Sequence, residues 1–195
     1  LATHLDRTLV VNEYLQTSEA DIYAAGDLIR VPYAGTDSDY YLPFVNNAVI
    51  TGRLAAMNAL GFEEALQPLV RVVGAQLFGL YIASAGLTEE DAKLYHQTLT
   101  LTQVQLDEQG HSITLKLIIE KVTGRLLGGQ VYSQANVLGM MDALAIAIKA
   151  QLTDRDLAFQ DCLYYSMASA RIPILHNAAF ALYEKRLKEV GHDAP

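Results

Sequence analysis

Apolar and polar positions alternate through LTLTQVQL (99–106) and again through SITLKLIIE (112–120), with the turn-forming DEQGH between them. A period of two sends successive side chains to opposite faces, so this pair predicts a β-hairpin with one buried side. A third alternating run, RLLGGQVYS (125–133), follows KVTG and predicts an antiparallel meander. Upstream, LVRVVGAQLFGLYIASAGL (69–87) reads as a strand pair joined near Gly74 and Gly79. The spacing then changes. From Val137 to Gln151, Leu138, Met141, Leu144, Ala145 and Ile148 recur at helical intervals. TEED after Leu87 and TDRD after Leu152 each place a threonine N-cap before early acids, predicting a helix over Thr88–His96 and a short helix from Thr153. A last helix is expected over Leu175–Val190. Strands in one block with two or more helices give an α+β layer, an antiparallel sheet with helices on one face. The helix VLGMMDALAIAIKA carries only Asp142 and Lys149 as charges. Its apolar surface is either buried within the subunit or packed across a two-fold axis.

The first third reads differently. Strands are expected near Leu9–Val11 and at the compact apolar run Ile22–Ala25, the latter buried. Arg30–Pro43, RVPYAGTDSDYYLP, is too polar to be core and too aromatic to be a plain linker. A helix is expected from about Pro43, suited to a first helical turn, to a terminating Gly61. These readings divide the chain into a first domain tail over 1–61, a linker over 62–69 and a second domain over 70–195.

Composition narrows the functional classes. With 195 residues and 51% apolar content the chain can bury a sizeable core. A net charge of -8 with scattered Lys and Arg argues against a nucleic-acid groove, which needs clustered cations to displace counterions. No apolar run reaches the ~18 residues that a membrane helix needs, and the N-terminus lacks a secretory pattern, so a cytoplasmic location without membrane partner is expected. One cysteine rules out an internal disulfide framework and a thiolate zinc cluster. Cys162, in FQDCLYY, is expected to be an inert core thiol. His4, His96, His111 and His192 show no ligand-like spacing with one another or with carboxylates, so no metal site is expected.

The candidate chemistry lies in TSEADIYAAGDL (17–28). Gly26 permits an unusual dihedral or a close approach, and Asp27 places a carboxylate where open α/β sheets bind ligands, able to accept hydrogen bonds from ligand hydroxyls. Thr17, Ser18, Glu19, Asp21, the apolar run and Ala25-Gly26-Asp27 together resemble the second flavin-binding motif of the pyridine nucleotide-disulfide oxidoreductases. Residues 9–16, LVVNEYLQ, resemble the strand that returns the chain to that family's flavin domain. The remainder resembles the interface (dimerisation) domain of its branch of NADH oxidases, NADH peroxidases and coenzyme A-disulfide reductases.

That resemblance implies an α/β FAD-binding domain whose tail is residues 1–61. FAD would contact Gly26 and Asp27, and the flavin would face the helix start at Leu42, Pro43 and Phe44. It further implies NAD(P)H as cosubstrate, a small-molecule electron acceptor (a disulfide, a peroxide or dioxygen) and a homodimer. In Tyr164–Ala181, which corresponds to the part reaching the partner's flavin, Tyr165 falls at an aromatic position and Tyr164 beside it. These two are the candidate catalytic residues. Ser169 stands where the functional aromatic is expected, and Met167 and Ala168 replace the family's prolines, which weakens coenzyme A-disulfide chemistry. His176 is followed by Asn177 and Ala178 rather than the His-Pro pattern of glutathione-reductase relatives, so a helix-capping or interface role is expected. No G-x-G-x-x-G occurs among the thirteen glycines. The chain is therefore expected to be the C-terminal piece of a larger flavoenzyme, inactive and without FAD when alone. The alternative is a non-catalytic homodimerisation module without cofactor.

Overall fold

The computed structural model describes residues 1–107, 109–163 and 172–191, the side chains of Val190 and Gly191 excepted. The chain divides into two units, Leu1–Leu69 and Val70–Pro195.

In the first unit strand pairing is sparse. The expected strands at Leu9–Val11 and Ile22–Ala25 reduce to single bridges, Leu9 with Thr3 and Ile29, and Tyr23 with Gln16. Turns interrupt them. Arg7 and Leu15 adopt left-handed backbone (φ 69 and 66), and Asn12 Oδ1 accepts the N–H groups of Tyr14 and Gln16. Within the apolar run only Ala24 is fully buried, and Ile22 is exposed. A 3-10 turn, Gly26–Leu28, follows. Strands β1 (Val31–Pro32) and β2 (Asp39–Tyr40) then pair antiparallel. Tyr33, beside them, is 2% exposed and meets Tyr40 edge-on with ring centroids 5.0 Å apart. A segment expected to be too polar for the core thus supplies a core residue, because alternation around the hairpin turns one tyrosine inward. Helix α1 (Val45–Ala59) starts after Phe44, and the chain leaves it through Gly61 at φ +89. In the 62–69 stretch Leu66 and Leu69 are buried; the Leu69 N–H donates to the Pro32 carbonyl (2.8 Å) and Ala34 N–H to the Leu69 carbonyl (3.0 Å).

Helix α1 is inside out. Its buried residues are Asn47, Thr51 and Asn58, whereas Val45, Val49, Ile50 and Met57 are exposed. At ~100° per residue the three polar positions share one stripe and Val45 and Val49 lie roughly opposite.

The second unit is the expected α+β layer. Strands β3 (Val72–Leu77), β4 (Leu80–Gly86), β5 (Thr98–Leu106), β6 (Ser112–Glu120) and β7 (Leu126–Ser133) form one antiparallel sheet in the order β3-β4-β7-β6-β5. The predicted meander is β5-β6-β7, and the Gly79 hairpin β3-β4 joins it through β4. Helix α2 (Glu89–Tyr95) opens with a capping box in which Thr88 and Asp91 bond reciprocally. Helices α3 (Leu138–Lys149) and α5 (Ile174–Gly191) cover one face of the sheet, α3 over β4 and β7, α5 over β5 and β6. Met141, Leu144, Ala147 and Ile148 of α3 bury there against inward residues such as Leu115, Leu117 and Val131. The charge-poor helix thus spends most of its apolar surface inside the unit, and Ile146 is its one large apolar side chain exposed.

Two glycine contacts let the chain cross the sheet. Gly86 N–H bonds the Arg71 carbonyl, and Leu87 N–H bonds the Leu127 carbonyl at 2.9 Å, so the chain entering α2 lies directly on Gly128. A Cβ on Gly128 would overlap the Leu87 carbonyl oxygen. Helix α4 (Asp154–Ala158) packs on α5. Asp154, with no exposed surface, accepts from Arg186 Nε and Nη2, each at 2.8 Å.

Candidate functional site

In the first unit a cleft of about 250 Å³ is lined by Asp6, Arg7, Thr8, Asp27, Leu28 and Tyr41. Two turns and the segment before α1 build it. Asp6 is fixed from both sides: Oδ1 accepts from the Thr8 hydroxyl (2.7 Å) and N–H (3.2 Å), and Oδ2 from Arg30 Nε (3.0 Å) and Nη2 (2.9 Å). The Thr8 hydroxyl first, and the Arg30 guanidinium with it, hold the Asp6 carboxyl down at about 2. Asp6 is therefore an anion already partnered, whereas the exposed Asp27 carboxylate receives no hydrogen bond from the described residues.

The predicted residues occupy distinct places. Gly26 has φ +66, and a Cβ there would lie 3.2 Å from Ala48 Cβ, so both its dihedral and its approach to α1 favour glycine. Its N–H donates to Thr51 Oγ1 at 2.9 Å. Asp27 lines the cleft; Leu42, Pro43 and Phe44 do not, although Tyr41 immediately before them does. Leu42 is buried, Pro43 exposed and Phe44 half-buried at the N-cap, with no side-chain cap. The free first-turn N–H groups of α1 give this helix end a partial positive charge. Tyr164 and Tyr165 lie outside the described residues, as do Met167, Ala168 and Ser169.

Several residues at this site were not singled out from the sequence. Asp6, Thr8 and Tyr41 have no motif around them. Asn47, Thr51 and Asn58 do carry a signal: polar residues at i, i+4 and i+11 in a helix otherwise rich in apolar positions. Asn47 Nδ2 donates to the Leu42 carbonyl (3.1 Å), Thr51 Oγ1 donates to the Asn47 carbonyl (2.7 Å), and Asn47 Oδ1 is buried without a partner among the described residues. A carboxylate acceptor in the cleft and a helix N-terminus that follows its Tyr41 wall suit a hydroxyl-rich, anion-bearing ligand such as FAD.

Elsewhere, expectations meet two corrections. Cys162 is exposed and is not the core thiol expected. His176, on the first turn of α5, corrects only the capping half of its expected role: among the described residues both its ring nitrogens are buried without a partner, and burial pushes its pKa below the ordinary value. Two other histidines meet carboxylates, His96 with Glu120 (3.0 Å) and His111 with Asp107 (2.9 Å). Among the described residues no three His, Cys, Asp or Glu side chains gather into a metal-binding group, and no helix is long and apolar enough to cross a membrane.

The five-stranded antiparallel sheet with its covering helices is the architecture of an oxidoreductase dimerisation domain. Residues 72–172, just over half of the chain, match the family described as pyridine nucleotide-disulphide oxidoreductase, dimerisation domain, and the chain belongs to that family. It is 33% identical over 160 residues to an NADH oxidase of Enterococcus faecalis, covering 79% of this chain and 36% of that protein. Among solved structures, a pyridine nucleotide-disulfide family oxidoreductase from Enterococcus faecalis superposes with a TM-score of 0.91 at 32% identity, over 96% of this chain and 45% of that one. A NAD-dependent persulfide reductase from A. fulgidus gives 0.89 at 29% identity, over 95% and 35%. The chain thus spans less than half the length of each of these relatives.

Proposed function

We propose that this chain is the C-terminal part of an FAD-dependent, NAD(P)H-consuming oxidoreductase, in which residues 1–61 close the flavin site and residues 70–195 pair two subunits. The observation that carries the reading is the Asp27 carboxylate, unpartnered by the described residues, in a polar cleft whose wall at Tyr41 leads directly into the N-terminus of α1. Bound FAD would supply hydride acceptance from the nicotinamide and electron delivery to the acceptor. The chain's own residues bind and orient. Asp27 accepts hydrogen bonds from ligand hydroxyls, and the first-turn N–H groups of α1 favour negative charge on the ligand beside them. The inside-out helix agrees: Val45, Val49, Ile50 and Met57 suit burial by further protein of the flavin domain.

The electron acceptor divides the relatives, since the names NADH oxidase and persulfide reductase point to different acceptors. A disulfide, a peroxide and dioxygen all remain within this proposal. The second reading, a homodimerisation module without cofactor, is favoured by the dimerisation-domain match alone. Purification separates the two. The flavoprotein carrying this chain is expected to be yellow and to oxidise NADH or NADPH, and a colourless protein would leave only the second reading. In that flavoprotein Asp27→Ala is expected to weaken FAD retention by about tenfold, roughly one charge-assisted hydrogen bond, measured as flavin content after dialysis. Unchanged flavin content would remove Asp27 from the site.

A further inference from the structure

We infer that Thr51 and Asn47 are positioning residues of the flavin site: together they lock the Gly26-Asp27 turn and the Leu42 peptide onto one helix, so that the Asp27 carboxylate and the N-terminus of α1 are presented in a fixed relation. The inference rests on the FAD reading above. It explains why α1 turns its polar side inward. Thr51, 1% exposed, uses both halves of its hydroxyl: Oγ1 accepts the Gly26 N–H at 2.9 Å and donates to the Asn47 carbonyl at 2.7 Å. Asn47, 3% exposed, extends the chain of bonds to the Leu42 carbonyl at 3.1 Å, two residues before the helix cap at Phe44. Backbone beside the cleft residue Asp27 is thereby tied, through two side chains of a single helical turn, to backbone beside the cleft residue Tyr41. A valine at position 51 would keep the shape and lose both bonds, leaving the Gly26 N–H beside a methyl group.

The third member of the stripe does a different job. Asn58 bonds the Tyr14 carbonyl (2.8 Å), the Glu64 carbonyl (2.9 Å) and the Glu64 N–H (2.6 Å), and its side chain hydrogen-bonds neither Gly26 nor Leu42. It is as buried as the other two, at 5% exposed, and so serves as an internal control for a purely structural role.

The test uses the FAD-loaded flavoprotein that carries this chain and reads FAD affinity, flavin midpoint potential and Tm. Thr51→Val is expected to weaken FAD binding about tenfold, the size of one lost hydrogen bond at about 1.4 kcal/mol per decade, and to make the midpoint potential more negative as the helix end loses its fixed placement. Thr51→Ser, which keeps the hydroxyl, is expected to restore both, while Asn58→Ala is expected to lower Tm without moving the potential. The inference is overturned if Thr51→Val leaves affinity and potential unchanged, if Thr51→Ser behaves like Thr51→Val, or if Asn58→Ala moves the potential as far. Thr51→Ala serves as a second loss variant, and failure of both loss variants to fold would make the role merely structural and overturn the inference. A wild-type protein that takes up no FAD overturns the flavin reading itself and this inference with it.

Discussion

Asp154 is the most fully enclosed charge among the described residues, and its two 2.8 Å bonds to Arg186 join α4 to α5. Removing Asp154 leaves the Arg186 guanidinium, 13% exposed, without its carboxylate, so Asp154→Ala is expected to destabilise the second unit by about 3 kcal/mol in denaturant unfolding. Replacing both partners with apolar residues of similar volume, Asp154→Leu with Arg186→Met, should recover most of that loss. Two carboxylates nearer the surface, exposed Asp6 and half-buried Glu89, make the complementary point about pH. Asp6 is held down to about 2 chiefly by the Thr8 hydroxyl, and Glu89 to about 2 chiefly by the Lys116 ammonium, with Lys93 second. A folded-state pKa below the unfolded value means that the unfolded chain binds protons first. The stabilisation is complete above the ordinary values of 3.8 and 4.5, and it fades as pH falls from there through about 2. Tm should therefore drop over that window, and Glu89→Gln should shrink the drop in the second unit while Asp6→Asn shrinks it in the first.

Among the elements, β4 and β7 depend on what they lack. Their register sets Gly86 opposite Gly128, and a side chain on Gly128 has no room because Leu87 lies on it. Gly128→Ala is expected to cost about 3 kcal/mol through overpacking against backbone that cannot step aside, read as a lower urea midpoint. Much of this unit was legible beforehand. The hairpin β5-β6 stood out because nine consecutive pairs alternate across it, from Thr98 with Glu120 to Leu106 with Ser112. Both capping boxes were visible for the same reason: Thr88 with Asp91 and Thr153 with Asp156 act within four residues. Local chemistry can be read locally. The first unit was harder because its determinants are not local. The run Ile22–Ala25 looked like a buried strand, yet its only bridge is at Tyr23. The polar stripe of α1 was hidden by the assumption that a helix buries its apolar side. The motif singled out Gly26 and Asp27 as candidates, but nothing local pointed to Thr51, which bonds Gly26 from 25 residues away.

For the molecule as a whole, the two units pose separate questions. The second carries an exposed cross-strand row, Ile82 beside Tyr132, with Val104 across the intervening Thr114. An exposed aromatic group also lies on α4 and α5, where Phe159 meets Phe180 and Tyr183 edge-on at 5.8 Å. Surfaces of this kind favour association, and with the proposed homodimer the protein carrying this chain should sediment at twice its monomer mass, whether or not FAD is bound. A monomer at micromolar concentration would separate the dimer proposal from the flavin proposal.

The seam between β4 and β7 also sets a schedule for synthesis. Gly86 and Gly128 are 42 residues apart in a chain that pairs them side by side. At roughly 5–20 residues per second, the finished hairpin β3-β4 must wait about 2–8 s for its neighbour to be made. During that interval β4 offers an open edge of unpaired N–H and carbonyl groups, the arrangement most open to pairing with a wrong strand. The nascent chain is therefore most vulnerable while the meander that will close the sheet is still being translated.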